Sequence, residues 1–459
     1  MKKIIHFVII IFIVGIVSCS DAFNDDAIHS PFIDNDDINH ILSGLPDTNF
    51  GTGGASFTDF NAGDDAGYDI ALQPDGKVIA VGCSINNQNR YYRIAIARFT
   101  QNGSIDKSFG NRGIIIEDFN NTKGSRAFSV ALQNDGKIVV AGRIETYTEI
   151  LPGSNMLLTN TSNIIILRYN PDGSRDTSFG NNGIVINNTY NLEKPFEMAN
   201  KVVIQPDDNK IIVAGSSENN DDKHRFVVIR FNTNGTIDST FGNNGYVIVD
   251  PDNADNVTIA HDIALQNDGK IVVSGCMGTK TFEGYTPESS LVVRLNEIGQ
   301  LDNNFGISGK IINQSIKEAY CVAIQSDNKI LLSGIPKSAD FAITRYNENG
   351  TLDSDFGTNG LSEFSFAHKS GCYTNNIHLL TDGSIIISGG YDQGLVLIKI
   401  TSQGNLESSF GSYGSVFNNF HLDSPRLSSS TINSNDLITI VGYYGSGGYR
   451  DFLLTRFWL

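Results

Sequence analysis

The sequence predicts an all-β fold, a seven-bladed β-propeller of four-stranded antiparallel blades closed by its own N-terminal strand. Three observations carry this. Three short signatures recur seven times in fixed order, apolar segments of strand length lie between them, and the two chain ends hold complementary pieces of one repeat.

The first signature is an acidic residue, two spacers and Phe-Gly. It occurs at Asp47…Phe50-Gly51, Asp106…Phe109-Gly110, Asp176…Phe179-Gly180, Asp238…Phe241-Gly242, Asp302…Phe305-Gly306, Asp353…Phe356-Gly357 and Glu407…Phe410-Gly411. The second is an apolar strand, a tight turn and another apolar strand. Its turns fall at Asp75-Gly76, Asp135-Gly136, Asp208-Asn209, Asp268-Gly269, Asp327-Asn328, Asp382-Gly383 and, degraded, Asn435-Asp436. Asp-Gly and Asp-Asn accept positive φ, so a two-residue hairpin is expected. The flanking Val, Ile, Leu and Ala runs are apolar on both faces, as strands between neighbouring sheets should be. The third signature is an alternating strand carrying Arg98, Arg168, Arg230, Arg294, Arg345, Lys399 or Arg456, one face of which is expected to be less buried. A fourth strand follows each Phe-Gly, as in Gly113-Ile114-Ile115-Ile116.

The chain ends fix the count. Residues 54–60 form a lone fourth strand with no preceding three, and the last unit stops at Leu459 after its third strand. The orphan strand therefore completes the last blade and removes edges that would invite aggregation. A β-solenoid, the rival architecture, predicts shorter coils and capped ends instead of complementary ones.

These motifs resemble the delta-60 repeat, a bacterial β-propeller family with Leu-Asp-x-x-Phe-Gly followed by Ala-Leu-Gln-x-Asp-Gly-Lys-Ile-x-x-x-Gly. The resemblance covers residues 45–459. It weakens at Ser384, which replaces Lys in the sixth unit, and over residues 433–437 in the seventh. It implies a fold and no settled activity.

Residues 1–18 have the form of a lipoprotein signal peptide: Lys2 and Lys3, an apolar run over residues 7–17 too short for a permanent span, then Ile16-Val17-Ser18-Cys19. The tetrad resembles a lipobox, which makes Cys19 the expected lipidation site and membrane anchor. Residues 19–44, rich in Asp and Asn, read as a flexible acidic tether, and residues 45–459 as the propeller. The expected location is the bacterial envelope, at the outer membrane or cell surface. A net charge of −17 argues against nucleic acid as a partner. Cys83, Cys276, Cys321 and Cys372 show no disulfide or zinc spacing and read as buried small hydrophobes.

Residues common to all repeats serve the fold, so function is sought where the repeats differ. Four residues before the Gln position of each first strand stand Asp69, Ser129, Lys201, Asp262, Cys321, Asn376 and Ser429, none aliphatic. They are expected to ring the mouth of a central channel, and the adjoining position adds Tyr68, His261 and Tyr320. Loop aromatics Tyr91, Tyr92, Tyr147, Phe282, Tyr285, Tyr443 and Tyr444 form a second candidate surface for a sugar ring or protein partner. No nucleophile elbow, metalloprotease helix or phosphate loop is present, and turns such as Asn170-Pro171-Asp172-Gly173 lack a calcium array. No catalytic constellation, metal or cofactor is therefore expected, although His261, His368 and His421 fall near first-strand starts. The leading reading is a tethered, non-enzymatic binding or scaffold module for a protein or glycan. The alternative is an exported hydrolase or lyase acting at the channel mouth.

Overall fold

A computed structural model describes residues 42–459 apart from 61–62, 120–121, 147–160, 190–195, 219–222, 251–255, 282–283, 367–370, 393, 421 and 446–449. The expected signal, Cys19 and nearly all of the tether lie outside the described residues. Every named element is a β-strand, and they pair into antiparallel sets of four. The first strand, β1 (Ala55–Thr58), stands apart. Set one is β2 (Asp65–Leu72), β3 (Val78–Ile85), β4 (Tyr92–Phe99) and β5 (Ile114–Glu117). Set two is β6 (Thr122–Leu132), β7 (Ile138–Thr146), β8 (Thr161–Tyr169) and β9 (Ile184–Asn187). Set three is β10 (Glu197–Ile204), β11 (Ile211–Glu218), β12 (His224–Phe231) and β13 (Tyr246–Val249). Set four is β14 (Asn256–Leu265), β15 (Ile271–Thr281), β16 (Gly284–Leu295) and β17 (Lys310–Asn313). Set five is β18 (Ile316–Ile324), β19 (Ile330–Pro336), β20 (Phe341–Tyr346) and β21 (Leu361–Phe364). Set six is β22 (Tyr373–Leu379), β23 (Ile385–Tyr391), β24 (Gly394–Ile400) and β25 (Ser415–Asn418). The last set is β26 (Arg426–Ile432), β27 (Leu437–Tyr444) and β28 (Asp451–Trp458), with β1 paired antiparallel to β28 so that Ala55 faces Thr455. Sets one and two join through a single parallel bridge, Tyr92 to Gly124.

The turns differ from the two-residue hairpins expected. Gly76 N donates to the Gln73 carbonyl at 2.9 Å and Gln73 N to the Lys77 carbonyl at 2.8 Å, with only Gly76 left-handed at φ 76°. This is a three-residue loop, a type I turn ended by one left-handed residue, which suits Pro74 at its first corner. Asn209, Asn328 and Asp436 hold the left-handed place where glycine is missing, so the degraded seventh turn keeps this feature.

The third strands also depart from expectation. β4 is buried from Ile94 to Phe99, with no open face in that stretch. The reason is pairing. In set two, Arg168 Nε donates to Asp176 Oδ2 at 2.8 Å, its guanidinium lies 4.5 Å from the centre of the Phe179 ring, and its Nη1 donates to the Thr233 carbonyl of set three. Arg230 repeats the fan with Asp238, Phe241 and the Glu297 carbonyl, and Arg98, Arg294 and Arg345 do likewise with their own partners. Arg456 of β28 makes it with Asp47, Phe50 and the Gln101 carbonyl, across the chain ends. A buried charge pair holds only when its other hydrogen-bonding groups are satisfied; the fan does this for Arg168 and Arg230, while Arg98 Nε and Asp106 Oδ2 meet as an ion pair at 2.8 Å. Burial alone would raise the Asp176 and Asp238 carboxyls. Hydrogen bonds from Ser178 and Lys137, or Thr240 and Lys210, with Arg168 or Arg230 beside them, hold both at about 2 instead.

The core lies between sets. Ile79, Val81, Ile94 and Ile96 of set one pack with Phe109 against Ile138, Val140, Ile165 and Leu167 of set two. Comparable clusters join each later set to the next. Another unites Val441, Phe452 and Leu454 of the last set with Ile70, Val78 and Ala80 of the first, around Phe50.

Candidate functional site

The first strand of every set carries the same irregularity. Register slips between Gly67 and Asp69, Ala127 and Ser129, Ala199 and Lys201, Ala260 and Asp262, Ala319 and Cys321, Thr374 and Asn376, and Leu427 and Ser429. A β-bulge leaves one residue unpaired and re-aims its side chain. The unpaired residues are Tyr68, Phe128, Asn200, His261, Tyr320, Asn375 and Ser428, and all seven line one cavity of about 310 Å³. The column one residue before the expected ring, which includes the adjoining Tyr68, His261 and Tyr320, therefore lines the cavity in full.

The expected ring has a second duty. Asp69, Lys201, Asp262, Asn376 and Ser429 reach the same cavity, whereas Ser129 and Cys321 are not among its lining residues. Most of them also clasp the next set. Asp69 Oδ2 accepts from Val130 N at 3.0 Å, Ser129 Oγ from Val202 N at 3.2 Å, Asp262 Oδ2 from Val322 N at 3.0 Å, and Asn376 Oδ1 from Ser430 N at 2.9 Å. Cys321 instead turns its thiol to the Ser333 carbonyl at 3.4 Å. Asp69 is the hub: its carboxylate also accepts from Ser129 Oγ at 2.8 Å, Ser429 Oγ at 2.6 Å and Lys201 Nζ at 3.3 Å. Burial works against the Lys201 ammonium, but Asp69 and Asp262 outweigh it and hold its pKa above the usual lysine value. Burial raises the Asp262 carboxyl despite Lys201 nearby. Below them, burial pushes the His378 imidazole down to about 4, with Lys201 adding to the effect, while Nε2 lies 2.7 Å from Ser430 Oγ.

Beside the cavity runs a strip of arginine and aromatic side chains that no sequence motif announced. Arg126 lies 4.1 Å from the centre of the Tyr92 ring and bonds Glu145 at 2.5 Å, a carboxylate shared with Arg143 at 2.8 Å. Arg143 flanks Phe128 at 5.9 Å. Arg450 forks onto Asp64 at 2.5 and 2.6 Å and lies 5.0 Å from the Tyr443 ring, and Arg426 lies 5.9 Å from Tyr373. The available signal was an alignment column: three residues before the expected ring stand Arg126, Arg426, Tyr373 and Glu318.

The loop aromatics divide. Tyr92 donates to Asp64 Oδ2 at 2.9 Å, and Tyr285 to Glu318 Oε1 at 2.5 Å. Tyr91 is half-buried, and Tyr444 packs on Phe57 of β1 at 5.0 Å and bonds Asp451 at 3.0 Å. Tyr147 and Phe282 lie outside the described residues, as do His368 and His421. Cys83, Cys276, Cys321 and Cys372 are free thiols, the first three buried. A wider groove of about 690 Å³ lies at the turns of the last and first sets, lined by Gln73, Gly76, Gln101, Asn435 and Arg456. Its residues belong to the repeated turns and Arg456 is committed to Asp47, so the bulge-lined cavity is the candidate site.

Among known proteins, the family model described as "Domain of unknown function (DUF5122) beta-propeller" matches residues 73–109, 158–179, 207–241, 266–305 and 325–356. No curated protein matches. A crystal structure of a protein of unknown function from Dyadobacter fermentans is 10% identical, with 88% of this chain and 97% of that one covered at a TM-score of 0.45. An inactive virginiamycin B lyase from Staphylococcus aureus, solved with quinupristin, is 12% identical, with 87% and 98% covered at a TM-score of 0.41. Polysaccharide lyase Uly1 is 10% identical, with 89% and 92% covered at a TM-score of 0.48. The family model matches five of the seven units, one stretch in each, and supports reading this repeat as that of a β-propeller repeat family.

Proposed function

We propose that the seven four-stranded sets make one seven-bladed propeller of the delta-60 type, closed by β1 and tethered to the envelope through Cys19. Its function is non-enzymatic binding of a glycan at the bulge-lined mouth. One observation carries this reading: each of the seven bulges contributes one side chain to a single cavity. The cavity volume, about 310 Å³, matches a sugar residue better than a protein loop. Tyr68, Phe128, His261 and Tyr320 offer ring faces for stacking, while Asn200, Asn375, Asp262 and Lys201 offer hydrogen-bonding groups. Titration calorimetry of the purified protein against neutral and uronic oligosaccharides tests this. Binding that weakens at least about tenfold, roughly 1.4 kcal/mol, in Phe128→Ala and Tyr320→Ala supports it, and no saccharide binding at millimolar concentration overturns it.

A second reading, an exported hydrolase or lyase, draws on the Asp262 carboxyl, which burial raises toward the range of a general acid. Release of shortened sugar products, abolished in Asp262→Asn, would favour it over binding alone.

A further inference from the structure

We propose that His261, Cys276 and Glu318 form a binding site for a borderline transition-metal cation of the Zn²⁺ class, at the junction of sets four and five beside the cavity. His261 is the bulge residue of β14, Cys276 lies on β15, and Glu318 comes from β18 of the following set. Their ligand atoms already converge. His261 Nε2 lies 2.8 Å from Glu318 Oε1, Cys276 Sγ lies 3.8 Å from each, and all three stand within 4.8 Å of one another.

The donor set selects the ion. Imidazole, thiolate and carboxylate together suit Zn²⁺, Co²⁺ or a similar cation, whereas Ca²⁺ and Mg²⁺ demand oxygen ligands. With bonds of about 2.3 Å to sulfur and about 2.0 Å to nitrogen and oxygen, a tetrahedral ion needs sulfur gaps of about 3.5 Å, so the present 3.8 Å gaps close by a few tenths of an ångström. The imidazole–carboxylate gap then opens from 2.8 Å to about 3.3 Å. That opening breaks the hydrogen bond in which Nε2–H faces Glu318, and the Nε2 proton leaves to solvent, with Nδ1 carrying the ring proton in the bound form, so that the Nε2 lone pair is free for the metal. The Cys276 thiol is protonated without metal, because burial and the Glu318 charge push it well above its ordinary value. Cation binding therefore displaces the proton from Sγ. Tyr285 O–H donates to Glu318 Oε1 at 2.5 Å, and so orients the carboxylate as outer-shell groups do at metal sites. His261 lines the cavity, its ring tilted against Tyr320 with centres 5.0 Å apart, so water or ligand can supply the remaining position.

The repeat supplies its own control. Cys83 stands opposite Ala66 in set one as Cys276 stands opposite Ile259 in set four. Its neighbours at the equivalent places are Tyr68, 3.4 Å from Cys83 Sγ, and Arg126. An arginine where set five has Glu318 excludes a cation there.

The test is equilibrium dialysis and absorbance titration of the purified full-length protein with Zn²⁺ and Co²⁺. One equivalent bound and a thiolate-to-cobalt charge-transfer band are expected. Cys276→Ser should remove the band, Cys83→Ser should leave it unchanged, Glu318→Gln should weaken binding at least about 100-fold and Tyr285→Phe about tenfold. Circular dichroism of each variant establishes that it is folded. No stoichiometric cation in the folded wild type, or a cobalt band that survives Cys276→Ser, overturns the proposal.

Discussion

The two ends of each repeat obey opposite rules. At the Phe-Gly end, six units place the same arginine, aspartate and phenylalanine in one hydrogen-bonded fan, and each arginine reaches a carbonyl of the neighbouring set. At the bulge end, the backbone slip is common to all seven units but the side chains are Tyr, Phe, Asn, His, Tyr, Asn and Ser. The backbone device is constant at both ends; only the bulge end is free to vary its chemistry. Identical residues in a repeat thus mark what every interface requires, and a constant geometry carrying varied residues marks where a ligand can be accommodated.

The comparison breaks most severely if the chain ends lose their complement. Deleting residues 45–58 removes Asp47, Phe50 and β1 and exposes an edge of β28. No cooperative unfolding transition is expected from that variant; a circular-dichroism melt matching the intact protein would refute the closure. Next in size, Arg230→Ala leaves Asp238, buried at 3% exposure, with Lys210 and Thr240 alone and strips the fan of its guanidinium, at a cost of about 3–5 kcal/mol in urea denaturation.

Acid probes two kinds of buried group in separate pH windows. His378 is held near 4 in the folded protein against 6.5 ordinarily, so between those values the unfolded chain takes up a proton that the folded one refuses. Stability is full above pH 6.5 and falls by about 3 kcal/mol as pH drops to 4. His378→Gln should flatten that limb. Below pH 3.8 the depressed carboxyls of Asp176 and Asp238 add a further loss as pH falls toward 2, because their stabilisation exists only while they are charged. Smallest is Lys399→Arg in the sixth unit. Lysine lacks the planar fork that the fan uses, and restoring it should add about 0.5–1 kcal/mol, read as a shifted urea midpoint.

Much of this was legible in one dimension. Turns, Phe-Gly plugs and basic strands recur at fixed offsets, so their spacing reveals the units without any tertiary information. The third-strand burial was misjudged because alternation was read as one face toward water, whereas Asp176 and Asp238, eight residues after Arg168 and Arg230, neutralise those arginines and let both faces bury. The cavity lining was legible in part: Asp69, Lys201, Asp262, Asn376 and Ser429 reach it with Tyr68, His261 and Tyr320, but strict alternation fails at a bulge, so Phe128, Asn200, Asn375 and Ser428 went unread. The Glu318 and Arg126 column escaped notice because its partners, Cys276 with His261 and Tyr92 with Glu145, lie mostly in a neighbouring set or on another strand.

The division of labour between the two ends is tested most directly by comparing urea stability and saccharide binding in Arg230→Ala and in the double variant Phe128→Ala/Tyr320→Ala. The account predicts that Arg230→Ala loses several kcal/mol (about 3–5), whereas the bulge double variant abolishes binding and costs less than Arg230→Ala. A bulge variant that costs as much as Arg230→Ala, with binding intact, would contradict it.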